Sequence, residues 1–126
     1  MRYLLDTSVV IDFLRRSDKK ATLLYRLAHE NCCVSLITHI ELFAGKSVWE
    51  HSKARVELES LFSDISVIPL DTTISETAGS IKAKHHGINL LDCIIAATAI
   101  HHGFTLVTLN TKDFSQIEGL TLYVSD

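Results

Sequence analysis

Apolar residues along this chain come in two rhythms: short dense runs, and stripes spaced three or four apart. The two alternate almost from end to end. Met1–Leu5 predicts a short strand of the buried type, and Asp6-Thr7-Ser8 ends it and can cap a helix carrying Val9, Val10, Phe13 and Leu14. Lys19–Glu30 spaces Leu23, Leu24, Leu27 and Ala28 as a helix face, and Cys32–Ile37 reads as a second strand. Thr38 opens a helix reaching toward Gly45. Ser47–Phe62 predicts a longer one that offers Val56, Leu58, Leu61 and Phe62 to the core. Ser66–Leu70, with the only proline at Pro69, is a third strand. Thr73–His86 is helical and stops at Gly87, while Asn89 caps the apolar helix Leu91–His102, which stops at Gly103. Phe104–Leu109 is a fourth strand, Thr111 starts a helical turn, and Leu120–Val124 is the last strand.

Strands alternating with helices imply crossover connections onto a mostly parallel sheet. The expected fold is α/β, a three-layer α/β/α arrangement, and residues 1–126 form one domain with no repeat or linker. That length can bury an independent core. The composition, 47% hydrophobic and 21% charged, is that of an ordinary soluble globular protein.

The longest apolar run, Cys93 to Ile100 with Thr98 inside it, is too short to span a bilayer. No membrane attachment and no signal peptide are expected. Three cysteines, two of them adjacent at Cys32-Cys33, have neither disulfide nor zinc spacing, which suits reduced thiols in a cytoplasmic protein. The net charge of −3 supplies no global field for nucleic acid and argues against a simple DNA-binding module. It leaves a metal-dependent nuclease open, because the formal charge omits bound cations. Arg15-Arg16, Lys19-Lys20, Lys46 and the pair Lys82 and Lys84 read as solvated helix faces.

Four acids interrupt segments that are otherwise apolar or helical. Asp6 closes Tyr3-Leu4-Leu5, Glu41 lies within Ile40-Glu41-Leu42-Phe43, Asp92 precedes Cys93-Ile94-Ile95-Ala96-Ala97, and Asp113 follows Leu106-Val107-Thr108-Leu109 and precedes Phe114. Each has a purely structural alternative. Asp6 can cap a helix, and Thr38-x-x-Glu41 matches a capping box. Asp92 and Asp113 fall in first turns, where a carboxylate favours the helix dipole. Jointly they suggest more, because sites in open parallel sheets form beyond the carboxyl ends of strands, and first-turn side chains lean toward that rim. Two ionised carboxylates about 4 Å apart repel by roughly 4 kcal/mol at an effective dielectric of 20. A cluster of four must therefore hold a proton or a cation. Oxygen-only ligands favour Mg2+ or Mn2+ over zinc, and phosphodiester hydrolysis is the chemistry that follows. Thr7, Ser8, Thr108 and Asn110 offer neutral hydrogen bonds that would orient the acids. Relief of repulsion predicts that Asp6→Asn keeps the fold and spares or raises metal-free stability.

Other candidates carry less. Asp12 is six residues from Asp6, which is not one-face spacing, and Asp71 caps or precedes a helix. His85-His86 and His101-His102 fall in last helical turns, where positive charge is favourable. No zinc-ligand pair, P-loop, G-x-S-x-G elbow or G-x-G-x-x-G occurs.

The four stretches Tyr3-Leu4-Leu5-Asp6-Thr7-Ser8, Thr38-His39-Ile40-Glu41-Leu42, Asp92-Cys93-Ile94-Ile95-Ala96-Ala97-Thr98-Ala99 and Thr108-Leu109-Asn110-Thr111-Lys112-Asp113-Phe114 occur in the order seen in PIN-domain ribonucleases. The chain resembles that family over nearly its whole length, and within it the toxin subunits of VapBC-type toxin–antitoxin pairs. The resemblance implies that Asp6, Glu41, Asp92 and Asp113 form an acidic metal pocket supported by Thr108 and Asn110. Ser8 stands where relatives often carry Asn, and keeps a hydrogen-bonding group. It also implies a Mg2+-dependent endoribonuclease acting on RNA, usually a homodimer, held inactive by a cognate antitoxin. A segment of that partner would pack in an apolar groove, for which Val9, Val10, Phe13, Leu14 and Leu24 are candidates.

Two other functions compete. A phosphoaspartyl phosphotransfer domain would use Asp6 as acceptor, yet Ser8 stands where its second Asp is needed and Met1-Arg2-Tyr3 supplies no paired acids. A non-cleaving module would bind RNA or a partner with the same surface and cut nothing.

Overall fold

The computed structural model describes residues 2–125. Five strands form one sheet in the order β3-β2-β1-β4-β5, and every neighbouring pair is parallel. In chain order the elements are β1 (Arg2–Leu5), α1 (Thr7–Arg15), α2 (Leu23–Arg26), β2 (Asn31–Ser35), α3 (Leu36–Phe43), α4 (Lys46–Glu50), α5 (Ser52–Asp64) and β3 (Ser66–Ile68). After these come α6 (Thr72–Lys84), α7 (Leu90–His102), β4 (Thr105–Val107), α8 (Thr111–Phe114) and β5 (Thr121–Leu122). Of the strand expected over Met1–Leu5, Met1 lies outside the described residues.

Strand alternation explains the three layers. Successive side chains leave a strand on opposite faces. Leu4, Cys33 and Leu106 stand side by side in register and share one core with α6 and α7, through Ile74, Ala78, Ile81, Ile95 and Ala96. One residue on, Leu5 and Val107 pair and join Val34 in the other core, against Val9 and Val10 of α1, Leu24 of α2 and Leu58 of α5. Strands buried on both faces read as continuous apolar runs, as these do. The chain winds outward from β1 to β2 and β3, then returns across the sheet to β4 on the far side of β1. The reversal leaves a crevice between β1 and β4 at the carboxyl edge.

Element boundaries depart from expectation where a side chain takes over a backbone group. Thr22, 1% exposed, donates to Lys19 O at 2.6 Å and accepts from Tyr25 N–H at 3.3 Å. It thereby divides the helix expected over Lys19–Glu30 into a 3₁₀ turn at Lys19–Ala21 and the single turn of α2. Ser35 caps α3 by accepting from Ile37 N–H at 3.1 Å, so β2 ends earlier and the helix starts earlier than Thr38. The helix expected over Ser47–Phe62 breaks at the extended residue His51 into α4 and α5. That corner folds Trp49 back, its indole N–H on Phe43 O at 2.6 Å and the Arg55 guanidinium 4.5 Å from its ring. Val56 is exposed rather than core. Gly87 is not the stop of α6, which ends at Lys84; the Lys82 ammonium donates to His86 O and Ile88 O at 3.0 and 2.7 Å and takes up the turn. Gly103 ends α7 as expected, at φ 69°, where a side chain would be strained.

Phe114 is fully buried and anchors α8 under the sheet. Its replacement by alanine is expected to cost about 3–5 kcal/mol. Val56→Ala, at a side chain 63% exposed, should stay within about 0.5 kcal/mol of wild type. Urea denaturation of both variants measures the contrast.

Candidate active site

Asp6 follows β1 into the crevice. Its backbone N–H completes the ladder to Val107 O at 2.9 Å, and its own extended conformation turns the chain into α1. The side chain is 4% exposed and accepts three hydrogen bonds. Thr7 N–H donates to Oδ1 at 2.8 Å, while the Ser8 and Thr108 hydroxyls both donate to Oδ2, at 2.8 and 2.7 Å. Those hydroxyls are themselves placed by the segment leaving β4. Leu109 N–H donates to Ser8 Oγ at 3.2 Å, and Asn110 N–H donates to Thr108 Oγ1 at 2.9 Å. The same Asp6 side chain thus caps α1 and bonds across the crevice to Thr108, beyond the end of β4.

Thr7 carries the order one element further. Its hydroxyl donates to Glu41 Oε1 at 2.7 Å and lies 2.9 Å from the Thr38 hydroxyl. A hydroxyl has one proton, so Thr38 must be the donor to Thr7. Thr38 is fully buried inside α3, and the capping box suggested by Thr38-x-x-Glu41 does not form. Glu41 instead projects from the helix toward the start of α1. Asn89 caps α7 by accepting from Asp92 N–H at 2.9 Å and returns its amide to Asp92 Oδ2 at 3.0 Å. Asn110 does the same service for Asp113, donating to Oδ2 at 3.0 Å.

The acids bear on one another. Burial, then the negative charges of Asp6, Glu41 and Asp113, push the Asp92 carboxyl up from the usual range to about 6, against the opposing Asn89 hydrogen bond. Among the described residues none of the four makes an ion pair. Nor do three metal-ligating side chains already close on a single point among those residues; each carboxylate is turned to a neutral donor. An all-oxygen donor set with excess negative charge and no cationic partner fits a hard divalent cation, Mg2+ or Mn2+. Asp6, Glu41, Asp92 and Asp113 are the residues that would hold it.

The sequence reading missed Thr38 as a link and took Asn89 only as a cap. A polar residue three positions from Glu41 in an apolar helix was the available signal for the first. The remaining candidates stay apart. Asp12 pairs with Arg16 at 3.4 Å, and Asp71 caps α6 through Ile74 N–H while facing His101 at 3.8 Å. His102 stacks on Phe104 at 5.0 Å. The three cysteines are free, and burial raises each thiol. Of the proposed groove residues, Val9, Val10 and Leu24 are buried in the core, whereas Phe13 and Leu14 are half-buried. Among the described residues no helix is long and apolar enough to cross a membrane.

The sequence model of the PIN domain matches residues 3–120. Ribonuclease VapC19 of Mycobacterium tuberculosis (strain ATCC 25618 / H37Rv) is 32% identical over 123 residues, covering 93% of this chain and 95% of that protein. Ribonuclease VapC1 of Rickettsia felis is 30% identical over 129 residues, with 95% and 93% covered. Among solved structures, a toxin–antitoxin complex from Klebsiella pneumoniae contains a chain 31% identical with a TM-score of 0.70, covering 94% of this chain and 95% of that one. The VapBC2 complex of Rickettsia felis bound to a promoter DNA fragment contains one 25% identical with a TM-score of 0.81, over the full length of both.

The hydrogen bonds move the expected benefit of charge removal from Asp6 to Asp92. An amide at position 6 would face donors with its own donor, and an unsatisfied buried group costs about 1–3 kcal/mol; Asp6→Asn is expected to melt lower than wild type. Asp92 has its ionised form disfavoured in the fold, so its penalty is present above pH 6 and absent once the pH falls below the ordinary carboxylate range. Metal-free Asp92→Asn should therefore melt higher than wild type at pH 7.5, with the gain shrinking from pH 6 toward pH 4. Thermal melts in EDTA across that range measure both.

Proposed function

The chain belongs to the PIN-domain family, and from that premise we propose that it is a Mg2+-dependent endoribonuclease, the toxin of a VapBC-type toxin–antitoxin pair. The observation that carries the proposal is that Asp6, after β1, Glu41 of α3 and Asp113 of α8 all bear on Asp92 of α7, while among the described residues none of the four makes an ion pair. A bound Mg2+ or Mn2+ would supply an activated water and neutralise charge on the scissile phosphate. The chain's own residues do the positioning. Asp6 is fixed by three donors, and Thr7 aims Glu41. Asn89 and Asn110 hold Asp92 and Asp113. Preorganised oxygen ligands of this kind lower the reorganisation needed at the reacting phosphate. Phosphotransfer through Asp6 gains no support, because the carboxylate is 4% exposed with both oxygens bonded.

The partners follow the same reading. Phe13 lines two adjoining depressions of about 380 and 530 Å³ over α1, α2 and α5, with Leu24 in one, Val56 in the other and Leu61 in both. This apolar strip suits a segment of a cognate antitoxin, and Phe13 rather than Val9 or Val10 is its centre. Leu36 and Ile40 on α3, with Leu90 and Leu91 on the neighbouring α7, are exposed apolar side chains suited to a symmetric homodimer contact. A cytoplasmic location accords with three free thiols.

Purified protein in Mg2+ or Mn2+ is expected to cut RNA to discrete products, and EDTA to stop it. Asp113→Asn should lower the rate about 100-fold or more while the melting temperature holds. RNA left intact by wild type in both metals, with binding that persists in EDTA, would favour the non-cleaving module instead.

A further inference from the structure

A cavity of about 240 Å³ opens beside Glu41, enclosed by α1, α3, α4 and α5. We propose that it is a nucleobase subsite of the cleavage site, receiving one unstacked base of the RNA strand next to the scissile phosphate. The proposal rests on the nuclease reading above and deepens it.

Three features argue for this occupant. The first is continuity: Glu41 borders both this cavity and the acid pocket, so a strand crossing the carboxylates passes its mouth. The second is the lining. Leu14, Leu42, Val48 and Leu58 give apolar walls, and Arg15, Ser47 and Glu57 add polar groups. Proteins read single-stranded RNA by splaying a base out, packing its faces and hydrogen-bonding its edge. The volume lies below the roughly 300–1,000 Å³ of drug-sized pockets, a size that suits a single base.

The third feature is the charge at the rim. Arg15 is the only cationic residue lining the cavity, is exposed, and makes no ion pair among the described residues. In a chain of net charge −3 with four carboxylates alongside, a phosphate needs such a contact to approach. Ser47 lines the cavity with no side-chain hydrogen bond recorded among the described residues, and Glu57 has only a loose contact with Lys19 at 3.6 Å. A carboxylate accepts from exocyclic amino groups, so the pocket favours a base that carries one (adenine, cytosine or guanine) over uracil. Arg15 acts as a phosphate contact and Glu57 as the specificity-determining residue.

The test uses RNA randomised on both sides of a cut site, with the product ends sequenced. Wild type is expected to show one position beside the cut that disfavours uracil. Ala54→Phe, which fills the cavity, should flatten that preference by about tenfold, and Glu57→Gln should relax it at the same position alone. Arg15→Gln should raise KM about tenfold rather than lower kcat, and should weaken the dependence on salt. Equal loss on every sequence, or an unchanged preference in a folded Ala54→Phe, would overturn the proposal. If Ala54→Phe does not fold, the two rim variants decide. Variants that keep the base preference and lose only antitoxin affinity would assign the cavity to the protein partner and overturn it equally. Wild type that cuts no RNA sinks the nuclease reading itself, and the subsite with it.

Discussion

Everything at the carboxyl edge of the sheet depends on one buried carboxylate and the three donors that satisfy it. Asp6 takes an N–H from the first turn of α1, a hydroxyl from the same turn and a hydroxyl from the residue that follows β4. A buried carboxylate without such bonds would cost far more than the fold has to spare. The three donors therefore fix the start of α1, the exit of β4 and the width of the crevice between them in a single constraint. The hydroxyl of Thr7 then passes that constraint to α3 through Glu41 and Thr38. Each element at the rim is positioned by the group its neighbour must satisfy.

The same arrangement leaves an imbalance that the fold does not correct. Neutral donors can satisfy the lone pairs of four carboxylates, but they cannot cancel the charge. The surplus is felt at Asp92, half-buried and under the charge of three other acids. A stable protein free to relieve such repulsion would place a lysine or arginine there. All the ion pairs among the described residues lie elsewhere, on α1, α4, α5 and between Asp71 and His101. The cost is held in the ground state of the metal-free chain and concentrated where a cation and a phosphate would meet.

The sequence carried the sheet well because its three central strands are buried on both faces. Leu4-Leu5, Cys33-Val34 and Leu106-Val107 each give one residue to either core, whereas the edge strands β3 and β5 are partly exposed. The long apolar helix α7, with Asn89 before it and Gly103 after it, was equally plain. Its all-round hydrophobicity reflects contact with both the sheet and α6. What could not be read was where helices break. Thr22 and His51 interrupt patterns that are helical by spacing, one by bonding backbone groups and the other by letting Trp49 fold onto Arg55. The four acids were legible as interruptions. So were Thr7, Ser8, Thr108 and Asn110 as neutral groups that bond to them. Thr38 was not, because it resembles an ordinary cap until α3 is seen beside the start of α1, and Asn89 read only as a cap although its amide also bonds the Asp92 side chain. The resemblance to a known family supplied the grouping that spacing alone left open.

The hydrogen bond from Thr108 to Asp6 spans 102 positions of the sequence, and β1 cannot acquire its second neighbour until β4 exists. During synthesis the first strand must wait until β4, about 100 residues later, has been made. At roughly 5–20 residues per second that delay is about 5–20 s. Throughout it the nascent chain has Asp6 but neither the β4 wall nor Asp113, and Glu41 joins only part of the way through. The four acids and the β4 wall are therefore all present only once α8 has been made.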